Sequence, residues 1–61
     1  MLNLSQDALT PRQLEEQTGF TVATLAAWRS RGKGPKFHKI AGRVYYLKSD
    51  VQAWLESQMA A

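Results

Sequence analysis

The chain has 61 residues, 44% of them hydrophobic, with no cysteine, one histidine and a formal charge of +3. A chain of this size forms one small domain and buries only about 60% of the surface its unfolded form exposes. Without cysteine it has neither a disulfide framework nor a thiolate metal site, and His38 alone cannot assemble a zinc or catalytic cluster, so no cofactor is expected.

No apolar run approaches the roughly 20 residues that span a bilayer. The start MLNLSQDALT lacks the charged and apolar segments of a secretion signal, so the expected location is cytoplasmic, with no membrane partner. Residues 1–8 carry little pattern and read as a loose N-terminal arm, in which Leu2 or Leu4 offers an apolar contact. The folded domain is expected over residues 9–57. Thr10 caps a first helix, Pro11 suits its first position, Gln13 completes a capping box, and Leu9 with Leu14 forms a hydrophobic staple. This helix runs from about Pro11 to Thr18, with Leu14 its one strong apolar residue. Gly19 then supplies a left-handed C-terminal cap and Phe20 folds back as the accompanying apolar contact.

Thr21 caps a second helix, and two helices around a glycine-containing turn within about 20 residues have helix-turn-helix spacing. On a helical wheel Val22, Leu25 and Trp28 form the core stripe, while Ala23, Ala27, Ser30 and Arg31 fall on the other side and Thr24 and Ala26 flank them. The alanines have two readings of equal weight. One is plain helix propensity; the other is a smooth face that approaches base edges closely, with methyl groups for thymine. Gly32, Gly34 and Pro35 stop the helix. A hairpin follows from residues 37–40 and Arg43–Leu47, joined at Ala41-Gly42, where Gly42 takes positive φ. Val44 and Tyr46 share one face and Arg43 and Tyr45 the other. Phe37 and Ile40 differ in parity, which calls for a bulge or a short pairing.

Ser49 is expected to cap a third helix, with Gln52 at the capping-box position and Asp50 near the positive end of the dipole. Val51, Trp54 and Leu55 give its buried stripe, and Trp54 reads as core. The tail, residues 58–61, is expected to fray.

Between residues 29 and 48 lie Arg29, Arg31, Lys33, Lys36, Lys39, Arg43 and Lys48, with no Asp or Glu among them. Asp7, Glu15, Glu16, Asp50 and Glu56 all fall outside that block. Seven cations held together without counter-charges repel one another unless a polyanion neutralises them, and duplex nucleic acid is the partner that fits. His38, amid these cations, reads as solvated or phosphate-contacting rather than as a metal ligand.

Further residues carry a resemblance. They are Leu9-Thr10 opening the first helix, Gly19 before the second, Thr24-Leu25 with Trp28-Arg29, and Gly34-Pro35 entering the hairpin. Gly42-Arg43-Val44 with Tyr46 lie in the wing, and Ser49-Asp50-Val51 with Trp54-Leu55 in the last helix. Together, from Leu9 to about Ser57, they resemble the excisionase and AlpA-like branch of the MerR-type winged helix-turn-helix proteins.

The resemblance implies a mainly α fold with a small β-hairpin, in the order α-α-β-β-α, and a sequence-directed DNA binder without catalytic activity. The second helix enters the major groove and the wing grips the backbone and neighbouring minor groove. By carry-over Thr21, Thr24 and the outer face of the second helix read or brace the groove, and Arg43 holds the DNA. The family contains recombination directionality factors, which bend attachment-site DNA and steer an integrase towards excision, and phage or plasmid transcription regulators. The sequence does not choose between them. The implied partners are double-stranded DNA, a tyrosine or serine recombinase, and neighbouring copies along the DNA.

The chain departs from the family in two places. Ala26 and Ala27 stand where relatives often carry Arg or Tyr, which shifts the burden from base readout to phosphates and DNA shape. Glu15 and Gln17 replace small and apolar residues of the first helix, which implies a looser fit. The candidate DNA-binding residues are Thr21, Ala23, Thr24, Ala27, Arg29, Ser30, Arg31, Lys33, Lys36, His38, Lys39, Arg43 and Tyr45.

Three other classes are weaker. An enzyme lacks its chemistry, with one histidine, no cysteine and no carboxylate pair at a recognisable spacing. A single-strand stacking platform from Tyr45 and Tyr46 loses Tyr46 to the core by parity. A protein-interaction module is distinguished by binding that survives high salt.

Overall fold

The computed structural model describes residues 1–60. Its elements run in the order α1 (Leu4–Asp7), β1 (Ala8–Leu9), α2 (Pro11–Thr18), α3 (Val22–Ser30), β2 (His38–Ile40), β3 (Arg43–Leu47) and α4 (Lys48–Met59). This is a winged helix-turn-helix, mostly helical, with a small antiparallel sheet in the strand order β1-β3-β2.

Local sequence chemistry sets the helix pair. At the start of α2 the Thr10 N–H donates to Gln13 Oε1 at 3.0 Å and the Gln13 N–H donates to Thr10 Oγ1 at 3.2 Å, a reciprocal capping box. Pro11 takes the first helical position, where its missing N–H costs no hydrogen bond. Gly19 ends α2 in the left-handed region at φ 84°. Two residues later Thr21 Oγ1 accepts from the Thr24 N–H at 3.1 Å and caps α3. Across the turn the Val22 N–H donates to Glu15 Oε1 at 2.8 Å. Glu15, expected to loosen the fit, instead ties α2 to α3 and places a carboxylate at the positive end of α3.

The end of α3 is a Schellman motif: the Lys33 N–H donates to the Trp28 carbonyl at 2.8 Å and the Gly32 N–H to the Arg29 carbonyl at 3.3 Å. The chain then passes Gly34 and buried Pro35 into the wing. In the hairpin His38 pairs with Tyr45, Lys39 with Val44 and Ile40 with Arg43. Ala41 at φ 52° and Gly42 at φ 79° form the turn, the two positive values that a type I′ hairpin requires. Phe37 stays outside the strand, so the parity conflict is resolved by a short pairing.

Leu9, Leu14, Leu25, Tyr46 and Val51 make the buried core, with Phe20, Trp28, Val44 and Leu55 packed against it. Fully burying such apolar side chains stabilises by about 1.5–3 kcal/mol each. Phe20, Trp28 and Trp54 close one end of it: Phe20 meets both indoles edge to face, with centroids 5.1 Å from Trp28 and 6.0 Å from Trp54, and the two indoles are tilted at 47° with centroids 5.4 Å apart.

Besides Glu15, four expectations are corrected. Residues 4–7 of the expected loose arm form a helical turn capped by Asn3, and Ala8-Leu9 pairs with Leu47 and Tyr46 of β3, because the inner edge of β3 offers unpaired backbone groups. Val22, expected in the core stripe, is 40% exposed while Leu25 is 0%, because Val22 lies at the first turn of α3, where its N–H meets the Glu15 carboxylate at the surface. Ser49 is not a cap: pairing with Ala8 keeps Leu47 extended as the N-cap, α4 begins at Lys48, and Gln52 bonds Glu56 instead. Of the tail expected to fray, Gln58 and Met59 are helical, and Ala61 lies outside the described residues.

Two stability predictions arise here. A Cβ at Gly34 meets Trp28 Cε3 at 2.9 Å and Trp28 Cβ at 3.2 Å, whereas one at Gly32 meets nothing within 4 Å; both residues have positive φ. Gly32→Ala is expected to cost about 1–2 kcal/mol for the backbone alone, and Gly34→Ala a further 1–3 kcal/mol, roughly, for overpacking. Urea unfolding of both variants measures the difference, and equal losses would show that Trp28 yields freely. Ala41 is exposed and strained, so Ala41→Asn is expected to stabilise by about 0.5–1 kcal/mol in the same assay.

Candidate nucleic-acid interface

The solvent side of α3 is nearly free of hydrogen-bonding groups. Ala23, Ala26 and Ala27 are exposed and Ser30 is exposed at its C-terminal end. Of the two threonines, Thr21 Oγ1 accepts from the Thr24 N–H and donates to Thr24 Oγ1 at 3.0 Å. That pairing leaves the Thr24 hydroxyl proton as the donor available at the helix start.

The end of α3, the loop after it and the hairpin carry cations. Arg31, Lys33, Lys36, Lys39, Arg43 and Lys48 are exposed. None of the seven Lys and Arg side chains between residues 29 and 48 has a carboxylate partner among the described residues, where the one contact of a basic side chain with a carboxylate is that of His38 with Asp50. The hairpin register divides the wing charges. Lys39 lies opposite Val44, so by strand alternation it shares the face of Val44 and Tyr46 that turns towards the helices; Arg43 lies opposite Ile40, on the other face with His38 and Tyr45. The wing therefore carries one cation on each side of its tip.

Three sequence-selected residues sit differently from a free solvated side chain. Arg29 is half-buried and its Nη1 donates to Tyr46 Oη at 2.6 Å, with its Cζ 5.8 Å from the Phe37 ring centroid and 5.9 Å from that of Tyr46. His38 Nε2 lies 3.4 Å from Asp50 Oδ2, because α4 starts directly after β3 and turns its first carboxylate back towards β2. Tyr45 is partly covered and lines a shallow pocket with Leu4, Ser5, Ala8, Thr10 and Gln13.

The structure thus ties the end of α3 to the wing through Arg29 and Tyr46, and gives His38 and Tyr45 neighbours within the protein, Asp50 and the N-terminal segment. Glu15, Phe37 and Tyr46 shape this arrangement without having been selected from the sequence. A signal for Tyr46 existed: parity buries the ring, and a buried tyrosine hydroxyl needs a polar partner. Among the described residues no group of three His, Cys, Asp or Glu side chains is arranged to hold a metal ion, and no helix is long and apolar enough to cross a membrane.

No curated protein and no solved structure matches the chain at a significant level. Residues 8–59 do match the helix-turn-helix domain family, a span that takes in β1, both helices of the motif, the wing and α4. A match over that much of the sequence, on a chain folded as a capped helix pair with a basic wing, means that the chain belongs to the helix-turn-helix domain family and is a small DNA-binding protein.

Proposed function

We propose that the protein is an architectural DNA binder of the excisionase and AlpA-like branch of the MerR-type winged helix-turn-helix proteins. In this reading it is a recombination directionality factor that bends attachment-site DNA and steers a tyrosine or serine integrase towards excision, as a DNA binder rather than an enzyme. The observation that carries the reading is the pairing of an alanine face on α3 with a set of cations that have no carboxylate partners. Alanine offers base edges no hydrogen bond, so affinity comes from phosphates and selectivity from the shape and deformability of the duplex. A protein built this way is suited to bend DNA.

In the bound state α3 lies along the major groove. Thr21 and Thr24 sit at its entry, Ala23, Ala27 and Ser30 face the bases, and Arg31, Lys33 and Lys36 meet phosphates at its exit. The wing straddles the backbone, with Lys39 on one side and Arg43 reaching the neighbouring minor groove. His38 is held by Asp50 and Tyr45 by the N-terminal segment, so their part is to set the wing.

Log affinity for duplex DNA is expected to fall with log salt at a slope near −0.9 for each phosphate neutralised, as a B-DNA binder does. Arg43→Ala is expected to weaken binding across sequences, to reduce that slope by roughly one and to leave thermal unfolding unchanged. A wild-type slope of zero rules out phosphate-driven binding, and an Arg43→Ala protein that unfolds shows Arg43 to be structural.

The alanine face also implies that a single copy discriminates poorly between sites, and that tandem sites or bending supply the selectivity. Binding to one site compared with two or three adjacent ones, combined with circular-permutation bending gels, measures this. Tight, selective binding of one copy to an isolated, unbent site would refute the architectural role.

A further inference from the structure

The guanidinium of Arg29 is the one member of the basic surface whose position the protein itself dictates. It carries five N–H donors, of which one, on Nη1, is used on Tyr46 Oη at 2.6 Å. Arg29 has no other side-chain hydrogen bond and no ion pair among the described residues. The Phe37 ring lies 5.8 Å from its Cζ, within cation–π range, and the Tyr46 ring 5.9 Å away on its hydroxyl side. The side chain leaves α3 from its last turn, where the dipole favours a positive charge. On the other side of the hydrogen bond, Tyr46 is 1% exposed at the centre of the sheet. Its orientation is therefore set by the core.

This is an unusual state for an arginine. A cation that is half removed from water, with no carboxylate beside it and most of its donors free, is incomplete without an anion. We propose that Arg29, clamped at the seam between α3 and the wing, is a prepositioned site for one backbone phosphate of the bound DNA, and that Tyr46 is its positioning residue. The inference rests on the DNA-binding reading and adds to it which cation is fixed in advance. A base edge is the poorer ligand for the same group. Bases lie in a major groove about 8.5 Å deep, and a guanidinium tied back to the sheet does not reach down, whereas phosphates stand out from the duplex.

Fixing the side chain before binding removes part of the ordering cost that the flexible, exposed Lys33, Lys36 and Lys39 incur on the DNA. The fork of N–H groups also gives the contact a direction that a lysine lacks. One rigid phosphate contact beside several mobile ones fixes the register of the domain on the duplex.

The experiment is a phosphate scan. Duplex oligonucleotides carrying a neutral methylphosphonate at single backbone positions are titrated with the wild-type protein, Arg29→Gln and Tyr46→Phe, each first checked for cooperative thermal unfolding. The wild type is expected to lose roughly tenfold in affinity at one position in particular. Arg29→Gln is expected to bind the unmodified duplex roughly tenfold more weakly, with a salt slope lower by about one, and to show no further loss at that position. Tyr46→Phe keeps the ring and leaves the cation in place but unaimed. It is expected to bind about three- to tenfold more weakly while unfolding cooperatively, with the deficit shrinking at the same substituted phosphate.

Arg29→Gln that stays sensitive at every position, or Tyr46→Phe that is folded and binds like the wild type, overturns the proposal. If Tyr46→Phe does not fold, Arg29→Gln and the phosphate scan decide it. Failure of the DNA-binding reading looks different: the wild type itself then shows no salt-dependent affinity for any duplex.

Discussion

Tyr46 is where the small core, the sheet and the basic surface are joined. Its ring is buried with Leu9, Leu14, Leu25 and Val51, its strand is flanked by the other two, and its hydroxyl meets Arg29. In a domain of this size few side chains are fully buried, so each must serve several contacts at once. Placing the hydroxyl of a core tyrosine against the arginine at the end of the second helix of the motif links the angle of that helix to the angle of the wing. In the proposed complex both surfaces meet one duplex, and this link sets their separation.

The same economy appears in how the helix pair is held. Glu15 bonds the first N–H of α3, Gly19 reverses the chain, and Thr21 caps α3, so the turn is fixed by polar contacts where little apolar surface is available. The Glu15 carboxylate also occupies the positive end of α3. In the proposed complex that charge arrangement turns phosphate contact away from the start of the helix and towards the cations at its end and on the wing.

A basic surface without internal ion pairs is electrostatically unfavourable in the free protein and is relieved when phosphates replace the missing counter-charges. Four of the five carboxylates have partners elsewhere: Asp7 on the Asn3 N–H, Glu15 on α3's first turn, Asp50 on His38 and Glu56 on Gln52. No carboxylate within the described residues competes with DNA for the Lys and Arg side chains between residues 29 and 48.

Much of this was legible in the sequence because it is local. The capping box at Thr10 and Gln13, the glycine ends of α2 and α3, the Thr21 cap, the Ala41-Gly42 turn and the segregation of charge each depend on residues a few positions apart. Structure and sequence agree on them. The features that only the tertiary structure decided involve residues far apart in the chain. Ala8-Leu9 becomes a strand because β3 has an edge to offer, not because two residues carry a strand signal. Leu47 replaces Ser49 as the start of α4 because that pairing holds it extended. Arg29 reads as one more cation until Tyr46, 17 residues away, is brought beneath it. His38 likewise reads as one of a basic group until α4 returns Asp50 to it. Local propensity acts along the chain, and hydrogen bonds between elements depend on where packing puts them, so caps and turns can be read from one sequence while the partners of Arg29 and His38 cannot.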